Sequence, residues 1–360
     1  MRRDLVPSRR IALRWLAAAG GMALGARARA MAATAMAAEP FPDGVTLLAA
    51  STSGGPMDLW AATLTPILEH FLPPHTRIGT ETAIGNDGVT GANQFAARTI
   101  PDGATVLLVP GAAALAWLVG DQRVHFDAAS WVPVMAGLAP AVLVGRIGLP
   151  ALRTEQGLRI AAAGPAGPDL PALLALEVLG CGFTPIFGLG EAGRAREALT
   201  EGAADLLLLH GESVPERVRA LAGAGITPLF SLGALDAAGH RVRDPLLPDV
   251  PCLHEASLSL RGHPPLGPLA PACDAAAAAA ALNFALVLPA LTPPDIVGLW
   301  RSMGAHMAEA PTVHALSGAE AVRIQASPAA NVATVAVAAD AATLLSLRDW
   351  LASRFGWHSG

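Results

Sequence analysis

The chain has 360 residues, of which 52% are hydrophobic and 15% are charged, so it holds enough apolar material for two lobes rather than one small core. All 24 basic residues are Arg, and 29 residues are acidic. Residues 1–38 hold seven of the Arg and one acid, so the remainder carries 17 basic against 28 acidic residues, a net charge of −11. This acidic balance argues against binding to nucleic acid or to an anionic membrane surface.

The first 38 residues are predicted to be an export signal that takes no part in the fold. Ser8-Arg9-Arg10 begins a twin-arginine-like pattern that runs to Arg14, and a weakly apolar stretch follows. The alternative is an uncleaved membrane anchor. Arg14 disfavours the anchor, because it interrupts a run already short of the roughly 20 apolar residues that span a bilayer.

The first predicted unit of the fold is a strand, a glycine loop and a helix over residues 45–60. Residues 45–50 are an apolar run typical of a strand, and the apolar residues after Pro56 have helical spacing. The loop between them would expose N–H groups at the positive end of the helix dipole, where an anion can bind. The alternative is an ordinary tight turn, which a lone Gly-Gly pair favours.

Strands and helices are predicted to alternate along the rest of the chain, which indicates an α/β fold with a mainly parallel sheet. In such sheets ligands bind beyond the carboxyl ends of the strands, where glycine loops recur in this sequence. Strands are predicted at 76–83, 105–109, 131–145, 158–163, 184–187, 205–209, 226–230 and 282–289, and helices at 92–99, 113–119, 169–179, 191–201, 214–222, after 292 and at 341–355.

Residues 261–281 interrupt this alternation. They are rich in Pro, Gly and Ala and are predicted to be a surface insertion or linker, in which Asp274 could start a short Ala-rich helix. The cysteines Cys181, Cys252 and Cys273 have no metal-binding spacing. Cys252 and Cys273 could pair in an exported protein, and free thiols are the alternative. The ten His form no ligand pair, so no metal site and no cofactor are predicted.

Four motifs occur in an order that is typical of one family. They are Ser53-Gly54-Gly55-Pro56-Met57-Asp58; residues 85–91 followed by Pro101-Asp102-Gly103; Leu247-Pro248-Asp249-Val250-Pro251 followed by Glu255-Ala256; and Leu288-Pro289-Ala290-Leu291-Thr292-Pro293. Over about residues 44–310 the chain therefore resembles the TctC-like extracytoplasmic receptors of tripartite tricarboxylate transporters, the Bug family.

The resemblance implies a two-lobed clamshell with a hinge, similar to the type II periplasmic binding proteins. Lobe 1 is expected over residues 43–141 plus 283–360 and lobe 2 over 142–282, with 134–145 and 282–289 as crossing strands. The implied function is capture of a small organic anion, typically a carboxylate, in the periplasm for the membrane subunits of a transporter, without chemistry.

The ligand-binding residues are expected at the loops that match the family. They are Ser51, Thr52, Ser53, Gly54, Gly55, Met57, Asp58, Gly88, Gly111, Gly164, Pro165, Ala166, Gly167, Leu189 and His210. Two departures weaken the expected anion site. Gly190 stands where the family has Lys, and residues 163–168 carry prolines, which have no N–H to donate. We therefore expect weaker carboxylate binding than is typical of the family, or a less charged ligand.

Several polar residues have both a functional and a structural interpretation. His210 could face the ligand or merely end a strand, and Asp58 could contact the ligand or support its own loop. Asp205 could bind ligand or mark the start of a strand. Arg194 and Arg196 could pair with an anion or lie in solvent, as most helix arginines do.

Two other classes of function stay open at this point. An enzyme would need a nucleophile with a base, or paired carboxylates, converging in a cleft. The sequence has no GxSxG, HExxH or Cys–His signature, although a triad can assemble from distant residues. A ligand-dependent partner of a membrane signalling protein would use the same clamshell.

Overall fold

Strands recur along the whole folded region. The structure is a computed structural model that describes residues 44–335 and 337–358, so the export signal predicted at 1–38 lies outside the described residues. The strands are β1 Gly44–Ser51, β2 Arg77–Ile84, β3 Thr105–Val109, β4 Val132–Leu138, β5 Val142–Gly145, β6 Leu158–Ala161, β7 Phe183–Ile186, β8 Leu206–Leu209, β9 Thr227–Ser231, β10 Ala234–Leu235, β11 Arg241–Val242, β12 Leu282–Leu288 and β13 Arg323–Ala326.

Helices connect most of these strands, and the predicted ones are present within a few residues of their expected bounds. The helices at Ala151–Thr154, Leu253–Arg261, Pro311–Glu320 and Ala329–Val335 were not predicted, and the one at Ala270–Ala281 was expected only as a short helix from Asp274. The helices are α1 Pro56–Phe71, α2 Val89–Arg98, α3 Gly111–Val119, α4 Ala151–Thr154, α5 Leu170–Val178, α6 Ala192–Thr200, α7 Val214–Ala222, α8 Leu253–Arg261, α9 Ala270–Ala281, α10 Pro294–Ala308, α11 Pro311–Glu320, α12 Ala329–Val335 and α13 Ala341–Phe355.

Two separate sheets organise the molecule, so the α/β fold class is confirmed. The first sheet has the strand order β13-β4-β12-β3-β1-β2, and the second has the order β7-β6-β8-β5-β9. We call the part built on the first sheet lobe 1 and the part built on the second sheet lobe 2. The lobe boundaries given above stay a prediction.

The prediction of a mainly parallel sheet is wrong, because both sheets are mixed. Strand β1 pairs in parallel with β2 and β3, and β6 pairs in parallel with β7 and β8. Strands β5 and β12 are antiparallel to both of their neighbours. Each of these two is the first strand after the chain passes from one sheet to the other, so no crossover helix within its own sheet makes it parallel.

The apolar run 131–145 forms two strands, one in each sheet, rather than one continuous strand. Strand pairing breaks at 139–141, where Pro140 has no N–H for a ladder. The Ala139 N–H donates to Ala281 O at 2.8 Å, and the Leu232 N–H donates to Ala141 O at 2.8 Å. These two hydrogen bonds connect residues 139–141, where the chain first passes from lobe 1 to lobe 2, with the later part of the chain that leads back to lobe 1. The prediction that residues 282–289 also cross between lobes is wrong, because β12 pairs with β3 and β4 inside the first sheet.

Helix α9 is largely buried and packs in the interior of the molecule. The prediction of a surface insertion is therefore wrong for residues 270–281. Seven of its residues are buried, namely Ala272, Cys273, Ala275, Ala276, Ala277, Ala278 and Ala279. The helix contacts α3 of lobe 1, α5 of lobe 2 and the C-terminal helix α13. Alanine side chains are short, so three neighbouring helices can approach its axis closely. Residues 261–269 before it are largely exposed.

Candidate functional site

A cleft between the two lobes has a cavity volume of about 210 Å³. Lobe 1 contributes the ends of β1 and β3 and the starts of α1, α3 and β12, while lobe 2 contributes the end of β8. Helix α9 contributes its C-terminal residues. The lining residues are Ala50, Ser51, Thr52, Pro56, Met57, Asn86, Pro110, Gly111, Ala112, Leu115, Pro168, His210, Gly211, Glu212, Ala279, Ala280, Leu282 and Asn283.

Five of the predicted ligand-binding residues therefore line one cleft: Ser51, Thr52, Met57, Gly111 and His210. The other ten lie elsewhere in the lobes: Ser53, Gly54, Gly55, Asp58, Gly88, Gly164, Pro165, Ala166, Gly167 and Leu189. The sequence interpretation missed Asn86, Glu212 and Asn283. A polar Asn at the start of the otherwise apolar strand 282–289 was the signal that could have found Asn283.

The glycine loop after β1 uses its own donors internally. The Gly54 N–H donates to Asp58 Oδ2 at 2.7 Å, and the Gly55 N–H donates to Thr52 O at 2.8 Å. The prediction that these two N–H groups are available to an anion is wrong, because the loop is closed by these bonds. Asp58 also accepts from Thr82 Oγ1 at 3.0 Å, so the interpretation of Asp58 as a support of its loop is confirmed.

The donors that do face the cleft lie at the start of α1 and α3. In the first turn of α1 the Asp58 N–H donates to Gly55 O, and in that of α3 the Ala113 N–H donates to Pro110 O. Within the described part of the chain, no backbone hydrogen bond uses the N–H groups of Met57, Gly111 and Ala112. Two helix N-termini thus present unpaired donors and the positive ends of their dipoles to the same cleft.

Two glycines fix the position of α3. A Cβ atom on Gly111 would meet the carbonyl oxygens of Ala279 and Leu282, so only Gly allows α3 to begin this close to the end of α9. Gly88 has φ +77°, and a Cβ there would lie 2.6 Å from Pro110 Cδ. Gly88 therefore packs against the residue that precedes α3, which is a structural role.

The second predicted anion loop is occupied by a carboxylate of the chain itself. Asp169 is 7% exposed, and its Oδ2 accepts the Ala163 N–H at 2.7 Å. Burial raises the pKa of Asp169 to about 6 although this hydrogen bond opposes the shift. The Gly167 N–H donates to Gly164 O at 3.3 Å, so the loop closes on itself. Of residues 163–169, the cleft touches Pro168.

Lobe 2 brings a neutral imidazole and a carboxyl group to the cleft. Strand β8 ends at Leu209, and the following residues His210, Gly211 and Glu212 line the cavity. Burial, with a smaller effect of the Arg217 charge, lowers the pKa of His210 to about 4. His210 is therefore uncharged at neutral pH. Among the described lining residues Glu212 supplies the one carboxyl group, and none is an Arg.

A hydrogen-bonded chain of three side chains runs across the cleft. Trp60 of α1 is 1% exposed and donates through Nε1 to Asn283 Oδ1 at 2.9 Å. Asn283 donates through Nδ2 to Glu212 Oε1 at 2.8 Å. Trp60 and Asn283 belong to lobe 1 and Glu212 to lobe 2, so this chain joins the lobes and fixes the Glu212 carboxyl group at the cleft wall.

Other polar candidates have structural roles. Asp205 accepts from Arg159 Nη2 at 2.9 Å and from Arg159 Nε at 3.0 Å, and these bonds lower the Asp205 pKa. Its interpretation as the residue that begins a strand is confirmed, since β8 starts at the next residue. Leu189 donates its N–H to Ala162 O at 3.1 Å and packs against the core of lobe 2. Arg194 is exposed.

The three cysteines are buried free thiols, so the possible Cys252–Cys273 disulfide is not formed. Burial raises the pKa of Cys181 to about 11 and that of Cys273 to about 12. Within the described ranges we find no group of three or more His, Cys, Asp or Glu side chains that could hold a metal ion. Across residues 44–335 and 337–358, we find no helix long and apolar enough to cross a membrane.

Comparison with solved structures shows which proteins share this fold. No protein-family model and no curated protein sequence matches the chain. A ligand-free TctC solute-binding protein from Polaromonas matches in structure with a TM-score of 0.64 and 16% identity, over 87% of this chain and 98% of that one. The chain has the fold of the TctC solute-binding proteins. The sequence resemblance and the two-lobed fold class are thus confirmed at the level of fold.

Two further structures with the TctC-like fold were solved with small dicarboxylates. MatC from Rhodopseudomonas palustris, with bound malate, matches with a TM-score of 0.52 and 20% identity, over 86% of this chain and 100% of that one. A second R. palustris protein, with adipate, matches with a TM-score of 0.52 and 18% identity, over 87% of this chain and 97% of that one.

Proposed function

We propose that this protein reversibly captures a small organic carboxylate in the cleft between its lobes. The observation that carries the proposal is the pair of helix N-termini, α1 and α3. Their residues Met57, Gly111 and Ala112 line one cavity and have N–H groups that form no backbone hydrogen bond within the described residues. Oriented N–H groups and the helix dipole favour a carboxylate there without a cation. The cavity of about 210 Å³ suits a ligand of few carbon atoms.

The ligand is proposed to carry one carboxylate and, opposite it, a hydrogen-bond donor such as a hydroxyl group. The lobe 2 wall offers Glu212, which is a poor partner for a second carboxylate because like charges repel. His210 is neutral and gives no compensating charge, since its pKa lies at about 4. A hydroxyl group could donate to the Glu212 oxygen that Asn283 leaves available. This agrees with the expectation of a less charged ligand.

Binding without chemistry is part of the proposal. Two polar side chains of the cleft already form hydrogen bonds within the protein: the Ser51 hydroxyl group donates to Thr52 O at 2.9 Å, and Glu212 Oε1 accepts from Asn283. The nucleophile and base that a hydrolase needs would have to be hydrogen bonded to each other. We further propose that the protein is an exported, periplasmic receptor for the membrane subunits of a transporter; the twin-arginine-like segment 8–14 and the fold support this proposal.

Calorimetry on a matched series of four-carbon ligands tests the proposed ligand class. We expect 4-hydroxybutanoate to bind more tightly than butanoate and butanedioate, and 4-hydroxybutanamide to bind weakly. Glu212→Gln removes the repulsion and should narrow the gap between the hydroxy acid and the diacid by roughly tenfold. Tighter binding of the diacid by the unaltered protein would contradict the proposed role of Glu212, and turnover of any ligand would contradict binding without chemistry.

A further inference from the structure

A second cavity, of about 380 Å³, lies between α6 and α7 of lobe 2. We call it the α6–α7 pocket. It has no lining residue in common with the inter-lobe cleft. Leu209, the last residue of β8, lines the pocket, and the next residue, His210, lines the cleft. The end of β8 therefore lies between two separate cavities.

The α6–α7 pocket is lined by two arginines that form no ion pair with any described residue. They are Arg196 and Arg217, and no Asp or Glu is among the described residues of the pocket wall. Arg217 is half-buried and donates through Nη1 to His210 O at 2.9 Å. Burial and then the Arg196 charge lower the pKa of Arg217, with Glu212 opposing the shift.

This arrangement contrasts with that of three other arginines of the molecule. Arg123, Arg159 and Arg243 each hold a carboxylate at 2.9 Å or less. A half-buried guanidinium beside a second one is unfavourable unless an anion compensates both charges. Planar guanidinium groups suit phosphate and carboxylate oxygens, with which they form paired hydrogen bonds.

Apart from Thr200, the rest of the pocket wall is apolar. Leu209, Leu221, Ala220 and Ala224 supply most of its apolar surface. A small inorganic anion would leave this surface exposed to water, whereas an apolar group packed there gains from its burial. The wall thus selects an anion that carries an apolar part.

We propose that the α6–α7 pocket binds a small organic anion whose phosphate or carboxylate head contacts Arg196 and Arg217 and whose apolar part packs against Leu209 and Leu221. The site is independent of the carboxylate proposed for the inter-lobe cleft. It adds a second ligand to the protein, held by side-chain charge rather than by helix N-termini.

Isothermal titration of the full chain with phenyl phosphate, benzoate, benzyl alcohol and inorganic phosphate tests this site. We expect saturable binding of at least one aromatic anion, weaker binding of inorganic phosphate and no binding of benzyl alcohol. Arg196→Gln should weaken the aromatic anion roughly tenfold or more, because one charged partner is lost. Arg194→Gln, on the same helix but outside the pocket, is the matched control and should change nothing. The better of the two aromatic anions identifies the head group.

A third variant separates this pocket from the cleft. Ala112→Glu places a carboxylate in the cleft and should leave the aromatic anion's affinity unchanged. Loss of binding in that variant would assign the signal to the cleft and overturn the proposal. Equal affinities of the Arg196→Gln and Arg194→Gln variants would overturn it as well, and so would the absence of saturable binding by both aromatic anions.

Discussion

Asn283 of lobe 1 donates through Nδ2 to Glu212 Oε1 of lobe 2 at 2.8 Å. Its other amide atom, Oδ1, accepts from the buried Trp60 Nε1. One side chain therefore satisfies a buried indole and holds the carboxyl group that faces the cleft. The position of Glu212, and with it the proposed ligand selectivity, depends on a residue 71 positions away in the chain.

Asn283→Leu is expected to destabilise the protein. The substitution keeps the side-chain size but leaves the Trp60 N–H without an acceptor and removes a bond between the lobes. The cost should be about 1–3 kcal/mol, as for other buried polar groups that lose their partner. Urea unfolding measures it. Asn331→Leu is the control, because no side-chain hydrogen bond of Asn331 occurs among the described residues. Equal losses in the two variants would contradict this account of Asn283.

Asp169→Asn is expected to stabilise the protein above pH 6. The pKa of Asp169 is about 6 in the folded state against 3.8 as its ordinary value, so the folded state holds the proton more tightly. The stability that Asp169 contributes is thus full below pH 4 and is lost as pH rises to 6. An Asn side chain carries no charge at neutral pH, so the variant avoids this loss of stability. Its amide oxygen can still accept the Ala163 N–H. The gain at pH 7 should be at most about 3 kcal/mol, from two pKa units.

Thermal unfolding of the Asp169→Asn variant and the unaltered protein from pH 4 to pH 8 checks this. The difference between them should grow between pH 4 and pH 6 and then stay constant. Asp349→Asn, on the exposed face of α13, serves as the control and should show no such difference. A difference that is constant over the whole range would show that Asp169 is not buried as a carboxylic acid.

Gly111→Ala is expected to be destabilising because its Cβ would meet the carbonyl oxygens of Ala279 and Leu282. The loss should be about 1–3 kcal/mol or more, as for overpacking against backbone that cannot move. Gly298→Ala is the matched control, since Gly298 is exposed in α10 and a Cβ there meets no atom within 4 Å. It should stabilise by about 0.5–1 kcal/mol. If both variants unfold at the same denaturant concentration, the close approach of α3 and α9 is not required.

Much of the fold could be predicted from the sequence because its signals are local. Apolar runs, glycine loops and prolines at helix starts placed the strands and helices of both lobes within a few residues. The buried position of helix α9 escaped prediction because alanine carries little hydrophobic contrast, so a buried helix and a low-complexity linker have the same composition. The antiparallel strands β5 and β12 escaped because strand direction depends on how the chain passes between sheets.

The site was harder to predict because its donors and acceptors are paired by tertiary contacts. The glycine loops have the composition of anion-binding loops, yet Asp58 and Asp169 take up their N–H groups. Both carboxylates lie within six residues of the donor they accept from, so this competition was readable in principle. The contact between Glu212 and Asn283 could not be read from the sequence, since nothing local in either segment specifies its partner.

The central claim is that a ligand carboxylate rests on the unpaired N–H groups at the start of α3. Ala112 is exposed there and lines the cleft, so Ala112→Glu brings a negative charge to the proposed anion position, and Ala112→Gln brings a neutral group of the same shape. The decisive measurement is the calorimetric affinity of both variants for the best carboxylate found in the four-carbon series. The account predicts that the Glu variant binds at least roughly tenfold more weakly than the Gln variant. Equal affinities of two folded variants would contradict it, because the ligand charge would then not lie at the helix N-termini.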